Sequence, residues 1–231
     1  MIKAVFFDLD GTLVNSLRDI AAAMNGALAA FGLPGFSPEE YRHKVGNGAR
    51  ILAQRCLPEA RLAEADALRQ EYGRRYLADC CVETCPYEGV VPMLDALREA
   101  GLQLAVITNK PQDQADRVIR LLPEGAVHEV FGQQARFPVK PDPAIFRFAA
   151  ERMGLAPEEI LYCGDSAVDI QFAHNAGTRG IGCIWGFRGR QELAQAGADF
   201  LAETPAALAA IALREAQKER SHRSHIGGHD P

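Results

Sequence analysis

From residue 102 onward the sequence alternates short, fully apolar runs with segments of helical periodicity, and this alternation constrains the fold more than any other feature. Residues 102–108, 160–164 and 180–184 are strand-length runs, apolar at nearly every position. A strand with one wet face would alternate apolar and polar residues. A continuous run belongs to a strand buried on both faces. Helical patterns at residues 111–122, 142–153, 166–176, 190–196 and 205–216 separate or follow these runs. Strands alternating with helices predict a parallel sheet covered on both sides. Residues 3–8 read as a further strand and 198–201 as a short one, while 127–131 fits either a strand or a turn.

Residues 17–79 have a different texture. Leu17, Ile20, Ala21, Met24, Leu28 and Phe31 repeat at helical spacing, and the pattern stops at Gly32-Leu33-Pro34-Gly35. Ser37-Pro38-Glu39-Glu40 carries a helix start, with Ser at the cap, Pro next and Glu three residues on. Helix continues to about residue 79, broken at Val45-Gly46-Asn47-Gly48 and at Leu57-Pro58. No strand pattern interrupts this stretch. The chain therefore reads as an α/β fold, a Rossmann-like parallel sheet core of residues 1–14 and 86–217, with an all-helical module of residues 15–85 inserted after the first strand. A 48% hydrophobic composition supplies a core for both. Residues 218–231 are polar and contain Gly and three His, so a mobile, solvated tail is expected there.

The formal net charge of -5 gives no bulk attraction for nucleic acid or an anionic membrane. If the substrate is an anion, the positive charge that binds it must be local. The apolar stretch at residues 4–7 is too short for a signal peptide, and no run is long enough to span a membrane. A cytoplasmic protein is expected, as a monomer or weak homodimer. The six cysteines form no C-x-x-C pair and no metal-site spacing, which fits reduced thiols.

Open α/β sheets bind ligands beyond the carboxyl ends of their strands. Polar residues collect at those ends here. Asp8, Asp10 and Thr12 follow the first strand, and Thr108, Asn109 and Lys110 end the next apolar one. Gly164, Asp165, Ser166 and Asp169 follow residues 160–163, and Lys140 precedes a helix. Parallel strands bring all of these to one edge. Asp8, Asp165 and Asp169 are hard oxygen donors that suit magnesium. Lys140 and the donors near Thr108 and Asn109 suit a phosphate group. Carboxylates, a cation and anion binders together suit phosphoryl transfer.

Asp8-Leu9-Asp10-Gly11-Thr12, Thr108 after an apolar strand, Lys140-Pro141 and Gly164-Asp165-Ser166-x-x-Asp169 resemble, in order, the four motifs of the haloacid dehalogenase superfamily. The resemblance runs from residue 3 to about residue 185, and it makes the helical module similar to that family's cap domain. It implies Asp8 as nucleophile and Asp10 as general acid and base, with the Asp10 backbone carbonyl also on the metal. It implies Thr108, Asn109 and Thr12 as phosphate-binding residues and Lys140 as the charge that neutralises nucleophile and phosphoryl group. It implies Mg2+ as cofactor, held by Asp8, Asp10, Asp165 and Asp169, with Ser166 beside its shell.

Within that superfamily the chain most resembles the phosphoglycolate phosphatase group. Gly11-Thr12-Leu13-Val14-Asn15-Ser16, Val45-Gly46-Asn47-Gly48, Tyr87-Glu88-Gly89-Val90 and Trp185-Gly186-Phe187-Arg188 carry this softer likeness. Asn15 and Glu88 depart from the Asp and Pro more usual in the group. The resemblance implies Asn47, Gly48 and Arg188 as substrate contacts and 2-phosphoglycolate as the ester. The alternatives are a β-phosphoglucomutase-like phosphomutase, another sugar-phosphate phosphatase or pyrophosphatase, and a non-catalytic binding protein on the same fold. That last kind of protein would be expected to lack Asp8, Asp10 or Asp165. A dehalogenase would need neither Asp10 nor a metal site.

Overall fold

A computed structural model of the chain describes residues 1–224, with side chains through residue 218. The chain opens with β1 (Ala4–Phe7) and β2 (Val14–Asn15). Four helices follow, α1 (Leu17–Ala30), α2 (Pro38–Tyr41), α3 (Ala49–Cys56) and α4 (Ala65–Asp79). Then come β3 (Cys85–Pro86), α5 (Val90–Glu99), β4 (Gln103–Pro111), α6 (Gln112–Val118) and β5 (Glu129–Gln133). The remainder is α7 (Ala144–Arg152), β6 (Ile160–Gly164), α8 (Ala167–Ala176), β7 (Arg179–Cys183), α9 (Gly189–Gln195), β8 (Phe200–Ala202) and α10 (Pro205–Ser224).

Six strands form one parallel sheet in the order β5-β4-β1-β6-β7-β8. The first strand in sequence is therefore central. All four of its residues are buried, as expected for the run Ala-Val-Phe-Phe. Its side chains divide by the two-residue period of a strand. Val5 and Phe7 join Leu104, Val106, Leu161 and Cys163 in the core on one face. Ala4 and Phe6 join Ala105, Ile107, Ile160 and Tyr162 on the other. There Phe146, Tyr162 and Phe172 pack with ring centroids 4.9 to 6.5 Å apart. Fully burying side chains of this kind contributes roughly 1.5–3 kcal/mol each.

The core that contains Val5 and Phe7 continues without a break into the helical insertion, through Met24, Leu28, Tyr41, Leu52, Leu68, Tyr72 and Tyr76. The insertion thus packs onto one face of the sheet rather than standing apart. A two-stranded antiparallel ribbon, β2 with β3, closes its two ends, pairing Val14 with Pro86 and Asn15 with Cys85. The sequence boundary between residues 14 and 15 and that between 85 and 86 both fall inside this ribbon. Two residues per strand are too few to leave a periodic signal in the sequence.

The helix start at Ser37 is present, with the Ser37 backbone N–H donating to Glu40 Oε2 at 2.8 Å. The ambiguous segment near residue 130 is the edge strand β5. One expectation needs correcting. The last helix does not end near residue 216 but runs through Ser224. Residues 217–224 contain neither Gly nor Pro, so nothing in them stops a helix, and the first such signal is Gly227. The rest of the expected mobile tail, residues 225–231, lies outside the described residues. No helix among the described residues is long and apolar enough to cross a membrane.

Candidate active site

The register of the sheet builds the site. Phe7 lies opposite Val106 on β4 and Cys163 on β6, so the residues that follow these three strands emerge at one level. The Asp8 backbone N–H still donates to Cys163 carbonyl oxygen at 2.8 Å, which carries the nucleated strand geometry one residue past β1. Asp8, Asp165 and Asp169 meet here. Each offers a carboxylate oxygen within 4.8 Å of the others, and all three are buried.

Lys140 is sealed in beside them, 2% exposed. Its ammonium donates to Asp169 Oδ1 at 2.7 Å and to the Tyr162 hydroxyl at 2.9 Å. Asp8 Oδ1 lies 3.0 Å from the same nitrogen. That oxygen is buried and makes no aligned hydrogen bond. The contact is therefore chiefly one between charges. Asp169 differs: its Oδ1 accepts from Lys140 and Tyr162, and its Oδ2 accepts from the Ser166 backbone N–H and hydroxyl. The first of these, from the Ser166 backbone N–H, also belongs to the start of α8, so the residue that holds Lys140 is itself held by a helix start.

Lys140 comes from the segment before α7, and Asn109 ties that segment to β4. The Lys140 backbone N–H donates to Asn109 Oδ1 at 2.7 Å, and Asn109 Nδ2 donates to the carbonyls of Lys140 and, at 3.0 Å, Gly46. One amide thus joins β4, the Lys140 segment and the insertion.

Asp165 is confined by small residues. A Cβ on Gly11 or Gly186 would overlap its side chain, and Gly11 also has a φ of +83°, which suits only glycine without strain. Asp165 Oδ2 accepts from the Phe187 backbone N–H at 2.7 Å, and Thr12 Oγ1 approaches Oδ1 at 3.5 Å.

Burial raises the Asp8 carboxyl to about 6. The neighbouring Asp169 and Asp10 push the same way, and Lys140 and the Thr108 hydroxyl pull against them. Burial, helped by Asp169 and Asp8, lifts Asp165 well above the usual carboxylate range. For Lys140 burial works against the charged form, but Asp169 and Asp8 overcome it and raise its pKa. Desolvated carboxylates that repel one another in this way mark a site built for a further cation.

Asp10 faces a different partner. Lys110 Nζ lies 3.0 Å from each Asp10 carboxylate oxygen, and the Ser16 hydroxyl donates to Oδ1 at 2.5 Å. The sequence places Lys110 at the strand end, in the run Thr108-Asn109-Lys110, without assigning it a role. Only the fold reveals which acid, 100 residues away, the lysine meets.

A cavity of about 50 Å³ opens above Asp8, between the sheet edge and the insertion. Asp8, Asp10, Thr108, Asn109 and Asp165 line it from the core, Gly48 and Tyr72 from the insertion, and Arg188 from the loop after β7. Arg188 Nη2 donates to Val45 carbonyl oxygen at 2.7 Å, and Nη1 lies 2.9 Å from His43 Nδ1. Two expected substrate contacts lie elsewhere. Thr12 is fully buried beneath Asp165, and its carbonyl accepts from the Trp185 indole at 3.0 Å. Asn47 Oδ1 accepts from Arg55 Nη2 at 2.9 Å, and the residue does not line the cavity. Its neighbours Gly46 and Gly48 have φ of +112° and +85°, and in that turn the intervening side chain is directed to Arg55 instead.

The donor set fits a magnesium ion. Asp8 and Asp165 supply hard oxygens within reach of one point, and burial, helped by repulsion from neighbouring carboxylates, has raised both carboxyls. Asp169, with both oxygens engaged by the protein, stands behind them.

The chain and its fold match known proteins. Residues 2–177 match the model of the haloacid dehalogenase-like hydrolases. The chain is 36% identical over 210 residues to the phosphoglycolate phosphatase of Mannheimia succiniciproducens, covering 87% of this chain and 94% of that one. It is 32% identical over 214 residues to the N-acetylmuramic acid 6-phosphate phosphatase of Pseudomonas aeruginosa, covering 88% and 92%. The crystal structure of a predicted phosphoglycolate phosphatase from Haemophilus somnus 129PT superimposes with a TM-score of 0.82 at 34% identity, covering 91% and 97%. The chain belongs to the haloacid dehalogenase-like hydrolases. Within them it is a phosphatase, a hydrolase of phosphoric monoesters.

Proposed function

We propose that the protein hydrolyses a small phosphate monoester through an aspartyl-phosphate on Asp8, with 2-phosphoglycolate as the preferred ester. The observation that carries this reading is the buried Asp8 Oδ1. It sits at the end of the central strand, 3.0 Å from the Lys140 ammonium and beside two further buried carboxylates, as a nucleophile that must carry and then share negative charge requires.

In the first step an Asp8 oxygen attacks phosphorus. The P–O bond to the alcohol breaks, and Asp10 gives its proton to the leaving oxygen. In the second step water attacks phosphorus, the Asp8–P bond breaks, and Asp10 takes back a proton. Lys140 neutralises Asp8 in the resting state and the phosphoryl charge afterwards. Thr108 and backbone donors at the end of β4 hold the phosphoryl oxygens. Asp8, Asp165 and the Asp10 backbone carbonyl would hold a magnesium ion, and Asp169 would fix Lys140 behind it. When bound, that ion withdraws charge from the phosphoryl oxygens. Residues 15–85 act as a cap that closes over the ester.

One feature favours a small acidic ester. Arg188 keeps unused donors at the cavity wall, where an ester carboxylate could accept them. The relative named for N-acetylmuramic acid 6-phosphate supports a second reading, a sugar phosphate admitted by movement of the cap. The test is kcat/KM across 2-phosphoglycolate, hexose 6-phosphates and N-acetylmuramic acid 6-phosphate with magnesium. The first ester should lead. A leading sugar phosphate would replace it with the second reading, and no turnover of any ester would overturn the phosphatase mechanism.

A further inference from the structure

We infer that Lys110 is a positioning residue that holds Asp10 for proton transfer, and that Tyr76 of the insertion keeps Lys110 in place. The inference rests on the assignment of Asp10 as acid and base made above.

Lys110 is 2% exposed on its side chain, and Asp10 is 12% exposed. A buried ammonium needs a strong partner. Lys110 has one in the Asp10 carboxylate, 3.0 Å from each oxygen. The other face of the ammonium rests on the Tyr76 ring, 4.2 Å from its centroid. A cation over an aromatic face is attracted by the ring's quadrupole, most strongly when both are desolvated.

The three residues come from three places. Asp10 follows β1, Lys110 ends β4, and Tyr76 lies in α4 of the insertion. The ring is fully buried in the core shared by insertion and sheet. Seating of α4 therefore decides whether Lys110 has its second support. Tyr76 Oη is buried and has no hydrogen-bond partner. The ring face, not the hydroxyl, makes the contact that matters to Lys110.

The geometry also distinguishes the two Asp10 oxygens. Oδ1 accepts from both Ser16 and Lys110, whereas Oδ2 accepts from Lys110 alone. Oδ2 is thus the oxygen with capacity for a proton to be given to a leaving group. Lys110 bridges both oxygens and so fixes the rotation of the carboxylate about its own axis, which Ser16 alone would not.

The test uses leaving groups. An alkyl phosphate needs a proton on its departing oxygen, whereas p-nitrophenyl phosphate leaves readily without one. Because kcat/KM reports events through the first phosphoryl transfer, Lys110→Met should lower it about 100-fold or more for an alkyl phosphate. For p-nitrophenyl phosphate the fall should be less than about fivefold. Lys110→Arg, still a cation over the ring, should recover most of the alkyl rate. Tyr76→Leu should reproduce the leaving-group dependence in weaker form, and Tyr76→Phe should match the wild type. Thermal melting of each variant monitors the fold. If Lys110→Met does not fold, the Lys110→Arg and Tyr76 pairs still decide. Equal losses with both esters, or no loss in any variant, would overturn the inference. Asp10→Asn serves as the control for the assignment beneath it. Retained turnover of the alkyl ester there would sink the role of Asp10 itself, whereas its loss together with unaffected Lys110 and Tyr76 variants would sink only the positioning role.

Discussion

Lys140 donates to Asp169 at 2.7 Å, and that bond places the same ammonium 3.0 Å from Asp8. Both partners are almost fully buried, with side-chain exposures of 2% and 1%. Removing one member of an isolated buried pair costs about 3–5 kcal/mol, but without Asp169 the Lys140 ammonium keeps Asp8 as a counter-charge. Asp169→Ala should therefore lower the unfolding free energy, by less than that amount. It should also reduce turnover, because Lys140 loses its anchor and α8 loses its cap. Urea unfolding and steady-state kinetics on the same preparation check both. An unchanged midpoint would mean that Lys140 is held by something other than Asp169.

The raised carboxyl of Asp8 predicts an unusual pH dependence for the metal-free protein. Its folded pKa is about 6, against 3.8 for an unperturbed Asp. Between these values the folded state holds the proton more tightly than the unfolded state. Stability therefore falls as pH rises from about 4 to about 6, by roughly 2–3 kcal/mol. Asp165, raised in the same direction, adds to the fall. In Asp8→Asn this loss should be smaller, so the variant should melt higher than the wild type at pH 7 without metal. Thermal melting against pH in a chelating buffer measures it. A change with pH as large in Asp8→Asn as in the wild type would contradict the account of the site.

Magnesium should reverse that penalty. Adding it at neutral pH should raise the melting temperature of the wild-type protein, and a chelator should abolish ester hydrolysis. Asp165→Asn should remove the thermal shift. Full activity in chelator would exclude a metal role for Asp8 and Asp165.

Gly186→Ala should damage the site while leaving every charged residue in the sequence. Its added Cβ would overlap Asp165 Cβ and the Gly11 carbonyl and come within 2.7 Å of Asp165 Oδ2. None of these can withdraw easily, because Phe187 holds that carboxylate and Gly11 lies in a tight turn. We expect a loss of about 1–3 kcal/mol in stability and a weaker response to magnesium. A magnesium titration followed by melting checks both. A wild-type response would show that Asp165 has more room than the close packing implies.

Much of this was legible in the sequence, for identifiable reasons. The parallel sheet announced itself because its strands are buried on both faces and therefore read as unbroken apolar runs. Asp8, Thr108 and Asp165 were found because they follow those runs directly. Ser37 was found because a capping box is local. What sequence left hidden depends on contacts between distant segments. The ribbon of β2 and β3 is too short for a period. Lys110 and Asp10 meet only because β1 and β4 are neighbours. Thr12 lies beneath Asp165, and Asn47 is drawn to Arg55, by turns whose direction no spacing rule fixes. The end of α10 went unrecognised because a polar helix and a polar tail share a composition.

The most direct test of the central claim is to trap the phosphoryl group on the protein. Asp10→Asn, mixed with p-nitrophenyl phosphate and magnesium, should form the acyl phosphate but hydrolyse it slowly, since the base that activates water is gone. Reduction of the quenched protein with borohydride, followed by peptide mass spectrometry, should convert residue 8, and no other carboxylate, to homoserine. Homoserine at another position, or none after a clear burst of nitrophenol, would contradict Asp8 as the nucleophile.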